Sequence, residues 1–302
     1  MIVYKNLNIK KNHKNAVIAI GNFDGLHLGH QKVLNQAMSK AKKKNLKFGI
    51  ITFEPIPTMF FNKDITHHRL NLVEQKIYYL RKTKLDFLII IKFNNSFSKI
   101  SADNFIKKIL VNKLKSKYIF VSRNFRFGKK RTGDINTLKK LEKKYSYKTI
   151  VTIPFQKNKK IISSSLIRTS IAAGNVYDAQ RYLGRPWSIK GEVIRGQKRG
   201  RKIGFPTCNI KWNSYALPKL GVYAVKVESK NFKKSGIANL GYRPTFNGKT
   251  LLLEVNIFGI KANLYKKILK VSFIKFIRPE KKFKNINELK NQIKKDITVT
   301  KK

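Results

Sequence analysis

Apolar and polar positions run along this 302-residue chain in two different rhythms. In the first, apolar runs of strand length alternate with stripes at helical spacing. Residues 16–20 (AVIAI) are such a run. After a glycine-rich break at 21–28, Val33, Leu34, Ala37, Met38 and Ala41 recur on one helix face. Residues 48–53 predict the next strand, 72–82 a helix and 87–93 (FLIIIKF) a buried strand. Ser101 can cap a helix carrying Phe105, Ile109 and Leu110, and strands at 118–121 and 149–153 flank a helix near 136–145. This alternation predicts an α/β domain, a parallel sheet with helices on both faces, whose ligands bind at the carboxyl ends of the strands.

From about Trp187 the rhythm shortens. Strands are predicted at 188–194, 208–212, 222–228, 236–239, 251–258 and 269–276, punctuated by Gly and Pro, with one helix at 286–297. Closely spaced strands predict a small antiparallel β-barrel with a terminal helix. The change of rhythm places a boundary near 184–186, which gives domains 1–184 and 185–302.

Composition narrows the picture. The chain is 42% hydrophobic, enough for two ordinary cores. Its formal net charge is +52, from 67 Lys and Arg against 15 Asp and Glu. Such an excess attracts any polyanion, so a nucleic-acid binder is one reading. The lysines run through nearly every segment, however, and no arginine-rich tail or RNP-type aromatic motif appears, which disfavours nucleic acid as partner. Cys208 is the single cysteine, which excludes an intramolecular disulfide and fits a reducing compartment. The first residues, MIVYKNLNIKKNHKN, lack the apolar core of a signal peptide, and no apolar run approaches a membrane span. A cytoplasmic protein is the expectation; oligomeric state is not legible.

Chemistry concentrates in four places. Residues 21–30 (GNFDGLHLGH) follow a strand and open a helix. Their glycines permit a tight turn, the helix start attracts anions, and His27 and His30 can donate to phosphate oxygens. The alternative is a capping loop with two solvated histidines. Residues 162–168 (ISSSLIR) offer Ser164 and Ser165 hydroxyls and the always-charged fork of Arg168, or simply an N-cap and a surface arginine. No GxxxxGK[ST] loop and no HExxH pair is present, which disfavours a P-loop kinase and a zinc site. Residues 191–210 hold Gly196 and Gly200, which can form a flap over phosphates. They also hold Thr207 and Asn209, two apart, whose oxygens suit Mg²⁺; a glycine-rich hairpin with polar residues is the alternative. Glu254 stands in the apolar run LLLEVNIF of an acid-poor chain. A carboxylate there needs a partner or a task, either an ion pair or general-base work on a hydroxyl attacking a phosphate.

GNFDGLHLGH, TFEP (52–55), NFRFG (124–128) and ISSSLIR, in this order, resemble the adenylyltransferase module of prokaryotic bifunctional riboflavin kinase/FAD synthetases, a Rossmann-like HxGH nucleotidyltransferase. The resemblance implies that His27, His30, Ser164, Ser165 and Arg168 hold ATP phosphates, His27, His30 and Arg168 acting in catalysis. Gly21, Asn22, Phe23, Asp24 and Gly29 match the same ATP loop, and Phe53, Glu54, Pro55, Asn124 and Phe127 match positions around the flavin. GQKRGRKIGFPTCN, GVYAV, NLGYRPTF, LEVNIF and IRPEKKF are similar to riboflavin kinase along the whole second domain. That implies Gly196, Gly200, Gly204, Phe205 and Pro206 at ATP, Thr207 and Asn209 at Mg²⁺, Glu254 as base, and Arg278 and Glu280 near the flavin. The family reading is ATP-dependent conversion of riboflavin to FMN and of FMN to FAD, over roughly residues 15–297. The chain departs from the family at Ile56 and Asn256, each usually His, at Asn124, usually Asp, and at 259–266, usually an acidic loop. A single-function enzyme with one module disabled is the second reading, and a nucleic-acid binder the third.

Overall fold

A computed structural model describes residues 1–196, 199–245, 248–260 and 262–301. Gln197, Lys198, Phe246 and Lys261 of the motifs above lie outside the described residues. By spatial proximity the chain forms two units: Met1–Thr66 with Val73–Ser163, and His67–Leu72 with Ser164–Lys302.

The first unit is a six-stranded sheet in the order β1–β4–β3–β2–β5–β6, with every pairing parallel. The strands are β1 (Ile2–Tyr4), β2 (Val17–Ile20), β3 (Phe48–Glu54), β4 (Phe87–Lys92), β5 (Tyr118–Ser122) and β6 (Lys148–Thr152). Alternate side chains enter two separate cores. Ile18, Ile51, Ile89 and Ile119 pack with Phe105, Ile106 and Ile109 on one face. Val17, Ile50, Leu88 and Phe120 pack on the other face with Val33, Leu34, Ala37 and Ala41 of α1 (Leu28–Lys43) and Leu80 of α3 (Val73–Arg81). Burial on both faces is why these strands read as continuous apolar runs rather than alternating ones. Each fully buried Val or Leu contributes about 1.5–3 kcal/mol. Between β3 and α3 lies the short helix α2 (Pro57–Phe61).

The structure adds elements that the pattern did not predict. β1 is three residues long, too short to show a period, and is held from outside: the Tyr4 hydroxyl bonds His13 Nδ1 at 2.9 Å, and His13 stacks on Phe87 of β4. The helix expected near 136–145 is two, Ile135–Lys140 and Glu142–Tyr145, broken at Leu141. The helix after Ser101 opens into π-type bonding over Phe105–Lys113. A hairpin of β7 (Gln156–Lys157) and β8 (Lys160–Ile161) precedes the serine run.

The second unit begins with helices Ser164–Ala172 and Val176–Leu183, the latter ended by Gly184 in the left-handed conformation that favours glycine (φ 73°). A closed antiparallel barrel follows, in the order β10–β13–β12–β11–β14–β9. Its strands are β9 (Ser188–Ile194), β10 (Cys208–Lys211), β11 (Gly221–Glu228), β12 (Lys233–Thr245), β13 (Gly248–Ile257) and β14 (Ile268–Arg278). Closure leaves no unpaired edge. The expected strand 236–239 is the centre of a much longer hairpin arm. The terminal helix runs Ile286–Lys301. Segment His67–Leu72 joins this unit by main-chain bonds: His68 and Arg69 N–H donate to Ser214 O, and Ala216 N–H donates to Arg69 O. The Trp187 indole N–H also reaches Leu70 O at 3.0 Å.

Candidate active sites

The GNFDGLHLGH loop leaves the carboxyl end of β2, between β3 and β5. There the chain reverses its direction of travel across the sheet, the crevice where open α/β sheets bind ligands. Its backbone is strained. Phe23 (φ 47°) and Leu26 (φ 44°) are left-handed, a conformation that costs about 1–3 kcal/mol per non-glycine residue, while Gly25 (φ 81°) adopts it freely. Neighbours hold the shape. Asn22 O accepts from Thr52 Oγ1 at 3.0 Å and from Lys76 Nζ at 2.7 Å, and Leu26 O accepts from Gln31 Nε2 at 3.0 Å.

His27 caps α1, its Nδ1 accepting the His30 backbone N–H at 3.3 Å. That bond assigns the neutral ring's proton to Nε2, leaving a donor for a phosphate oxygen. The two imidazoles stack at 3.7 Å between centroids, and Phe23 meets His30 edge-on. His27 is only 5% exposed, and Asp24 is buried in the same turn. A Cβ at Gly29 would stand 3.0 Å from Ile162 O and 3.1 Å from the His27 ring, tighter than ordinary contact, so a larger residue would push these neighbours apart. Imidazole donors beside the amino end of a helix make an anion site.

Phe53, Glu54 and Pro55 stand at the end of β3, and Asn124 and Phe127 follow β5, so the motifs flank β2 on both sides. Phe53 and Phe127 are core residues, packed on Phe97 and Phe105. Asn124 instead lines a cavity of about 460 Å³ with Arg123, Phe125, Arg126 and Arg131. Ile56, the apolar departure, is buried at the start of α2. Ser164, Ser165 and Arg168 belong to the second unit, where Arg168 Nε donates to His68 O at 2.7 Å.

On the barrel, Leu251, Leu253, Val255 and Ile257 of β13 point into the core, which puts Glu254 and Asn256 on the outer face. Glu254 therefore does not sit among apolar side chains, as its apolar strand suggested. Its partners across the strands are Asn209 on β10 and Asn239 on β12, a row of three polar side chains. The Gly-rich segment approaches this row closely: a Cβ at Gly196 would overlap the Asn209 amide, and one at Gly200 would crowd Phe205 O and Thr207 Oγ1. Asn256 Nδ2 donates to Pro206 O at 2.6 Å and so pins the turn that presents Thr207. Gly204 is left-handed at φ 89°. The Glu280 carboxylate reaches over Gly241, where any Cβ would strike it, and accepts from Asn239 Nδ2 at 3.4 Å. Arg278 spends its fork on Asp296 of the terminal helix, at 2.9–3.1 Å, with Asp296 only 2% exposed. Burial pushes the Cys208 thiol up to about 11, so it stays protonated. Among the described residues no group of three His, Cys, Asp or Glu could hold a metal. The hydroxyl and amide oxygens of Thr207 and Asn209, with room kept by two glycines, suit a hard cation that takes its other ligands from phosphates.

Sequence reasoning missed Lys76, Asn239 and Asp296 as members of these sites. Lys76 carried no signal among 67 Lys and Arg. Asp296 had one: an acid on a helix stripe in a chain of 15 acids.

Comparison with known proteins shows the family. A family model described as FAD synthetase matches residues 9–166, and one described as riboflavin kinase matches 183–302. The chain is similar to the bifunctional riboflavin kinase/FMN adenylyltransferase of Buchnera aphidicola subsp. Schizaphis graminum, 44% identical over 98% of this chain and 96% of that protein. It is also similar to the proteins of that description from Haemophilus influenzae, 41% identical over 95% and 93%, and Escherichia coli K12, 37% identical over 93% and 90%. A crystal structure described as a macrolide-efflux protein from Streptococcus pneumoniae superposes with a TM-score of 0.87 at 29% identity, covering 99% of this chain and 98% of that one. That description names another activity; among the described residues here, no helix is long and apolar enough to cross a membrane. On both domain matches and on identity over nearly its whole length, the chain belongs to the bifunctional riboflavin kinase/FMN adenylyltransferase family.

Proposed function

We propose that this protein phosphorylates riboflavin to FMN and adenylylates FMN to FAD, with ATP as co-substrate in both steps. The kinase step belongs to residues 185–302 and the adenylyl transfer to residues 1–184. The observation that carries the reading is that one chain holds two polar constellations of different build, each suited to phosphate: a strained strand-to-helix turn and a polar row beside a glycine-rich segment.

In the kinase step the Glu254 carboxylate accepts the proton of the riboflavin 5′-hydroxyl while that oxygen attacks the γ-phosphorus and ADP leaves. Asn209 and Asn239 flank Glu254 across the strands, and Gly196 and Gly200 let backbone amides close on the phosphates. Thr207 and Asn209 would hold Mg²⁺, which neutralises phosphate charge when bound. In the second step an FMN phosphate oxygen attacks the α-phosphorus of ATP and pyrophosphate leaves; no proton moves and no protein nucleophile is needed. His27 and His30 donate to the phosphates, with Arg168, Ser164 and Ser165 assigned to the leaving pyrophosphate. The flavin positions are Phe53, Glu54, Pro55, Asn124 and Phe127 in the first domain and Arg278 and Glu280 in the second. A cytoplasmic location and small anions rather than nucleic acid as partners complete the proposal. The spread of lysine along the chain supports the latter.

The test is chromatography of flavin products, with riboflavin and FMN supplied separately beside ATP and Mg²⁺. Riboflavin should yield FMN and then FAD, and FMN should yield FAD. Absence of both products refutes the proposal, and one product alone leaves a single-function enzyme.

A further inference from the structure

We infer that Lys76, buried under the phosphate loop, is a positioning residue for adenylyl transfer; the inference rests on the reading of the first domain given above. Among the described residues no other lysine is as deeply buried: Lys76 is 2% exposed. Burying an ammonium is costly, so it persists where something is gained from its bonds. Its Nζ extends from the first turn of α3 and donates to Asn22 O at 2.7 Å and to Thr52 Oγ1 at 3.1 Å. Thr52 Oγ1 donates to the same Asn22 carbonyl at 3.0 Å.

That carbonyl belongs to the peptide entering Phe23, the first left-handed residue of the loop. An extended or helical Phe23 would be the relaxed choice, and two donors on one oxygen oppose that relaxation. In a trans peptide C=O and N–H point opposite ways, so fixing the Asn22 carbonyl toward Lys76 turns the Phe23 N–H away from it. The cation thereby sets the path of the loop that delivers His27 and His30 to the amino end of α1, and it need not touch substrate to do so. Its hold is charge-assisted, stronger than that of the Thr52 hydroxyl.

The experiment compares K76M, T52V and the double variant in the full-length chain, measuring kcat and KM for FAD formation from FMN. Riboflavin phosphorylation on the same samples serves as the internal control. K76M keeps the chain length without the charge. Its kcat for FAD formation is expected to fall about 100-fold, as misplaced catalytic groups typically cost, with KM for FMN within about two-fold. T52V should lower the same kcat about ten-fold. Because both act on one carbonyl, the double variant should lose less than the product of the single losses. Riboflavin phosphorylation should stay within about two-fold throughout. Near-wild-type kcat in K76M overturns the inference. So do independent, multiplicative losses, or an unfolded first domain in K76M together with wild-type kcat in T52V. A wild-type chain that makes no FAD overturns the functional reading instead.

Discussion

On the proposed function, two side chains divide the chemistry between them. Glu254 stands on the outer face of the barrel between Asn209 and Asn239, and His30 stacks on His27 at the first turn of α1. Replacing Glu254 by Gln removes the proton acceptor and keeps the shape. FMN formation should fall by about 10²–10⁴, the usual worth of general-base catalysis, with FMN-to-FAD conversion unchanged. His30→Ala should do the reverse, costing about 10²–10³ in FAD formation, the worth of one oxyanion-type donor. Separate assays of the two steps on each variant check both, and loss of both activities in one folded variant would contradict separate sites. Both residues were legible in the sequence because each sits in an unusual local context, a lone acid in an apolar run and a histidine pair in a glycine turn. The surroundings of Glu254 were not legible. Strand alternation says that Glu254 and Leu253 face opposite ways but not which way is out, and only β10 and β12 supply its polar neighbours.

At the scale of elements, length decided what could be read. β2, β3 and β4 are long enough to show as continuous apolar runs and α1 long enough to show its period, whereas β1 has three residues and depends on tertiary support from His13. Burial holds the His13 imidazole below its usual value of 6.5; Asp86 opposes the shift, while Lys47, Lys10 and the amino terminus reinforce it. The folded protein therefore keeps His13 neutral where the unfolded chain takes up a proton. Its contribution is intact above about pH 6.5 and is lost as pH falls through the folded value. Urea midpoints should drop between pH 7.5 and 5.5, and H13Q should flatten that slope while lowering stability at the higher pH. An unchanged slope in H13Q would place the pH dependence elsewhere. The break at Leu141 and the π-type turns after Phe105 show the same limit: neither leaves a mark in the local apolar period.

For the whole molecule, the charge of +52 acts on stability as well as on binding. With 15 acids against 67 basic residues, the basic residues far outnumber the acids that could pair them, and self-repulsion opposes the compact state. Screening shortens that repulsion to about 10 Å at 0.1 M salt. The Tm should therefore rise from 0.05 to 0.5 M KCl, and a fall would mean that the few ion pairs outweigh the repulsion. The amino-acid sequence alone determined the order of motifs, the change from α/β to barrel rhythm and most of the candidate residues at each proposed site. These depend on neighbours within a turn or a strand, where periodicity and glycine placement carry the information. Only the tertiary structure decided which cation is buried beneath the GNFDGLHLGH loop and that Arg278 is held by Asp296. It also decided that Asn256 steadies the turn before Thr207. Each of these joins residues from 18 to 54 positions apart, and one lysine or asparagine resembles another until the fold brings its partner close.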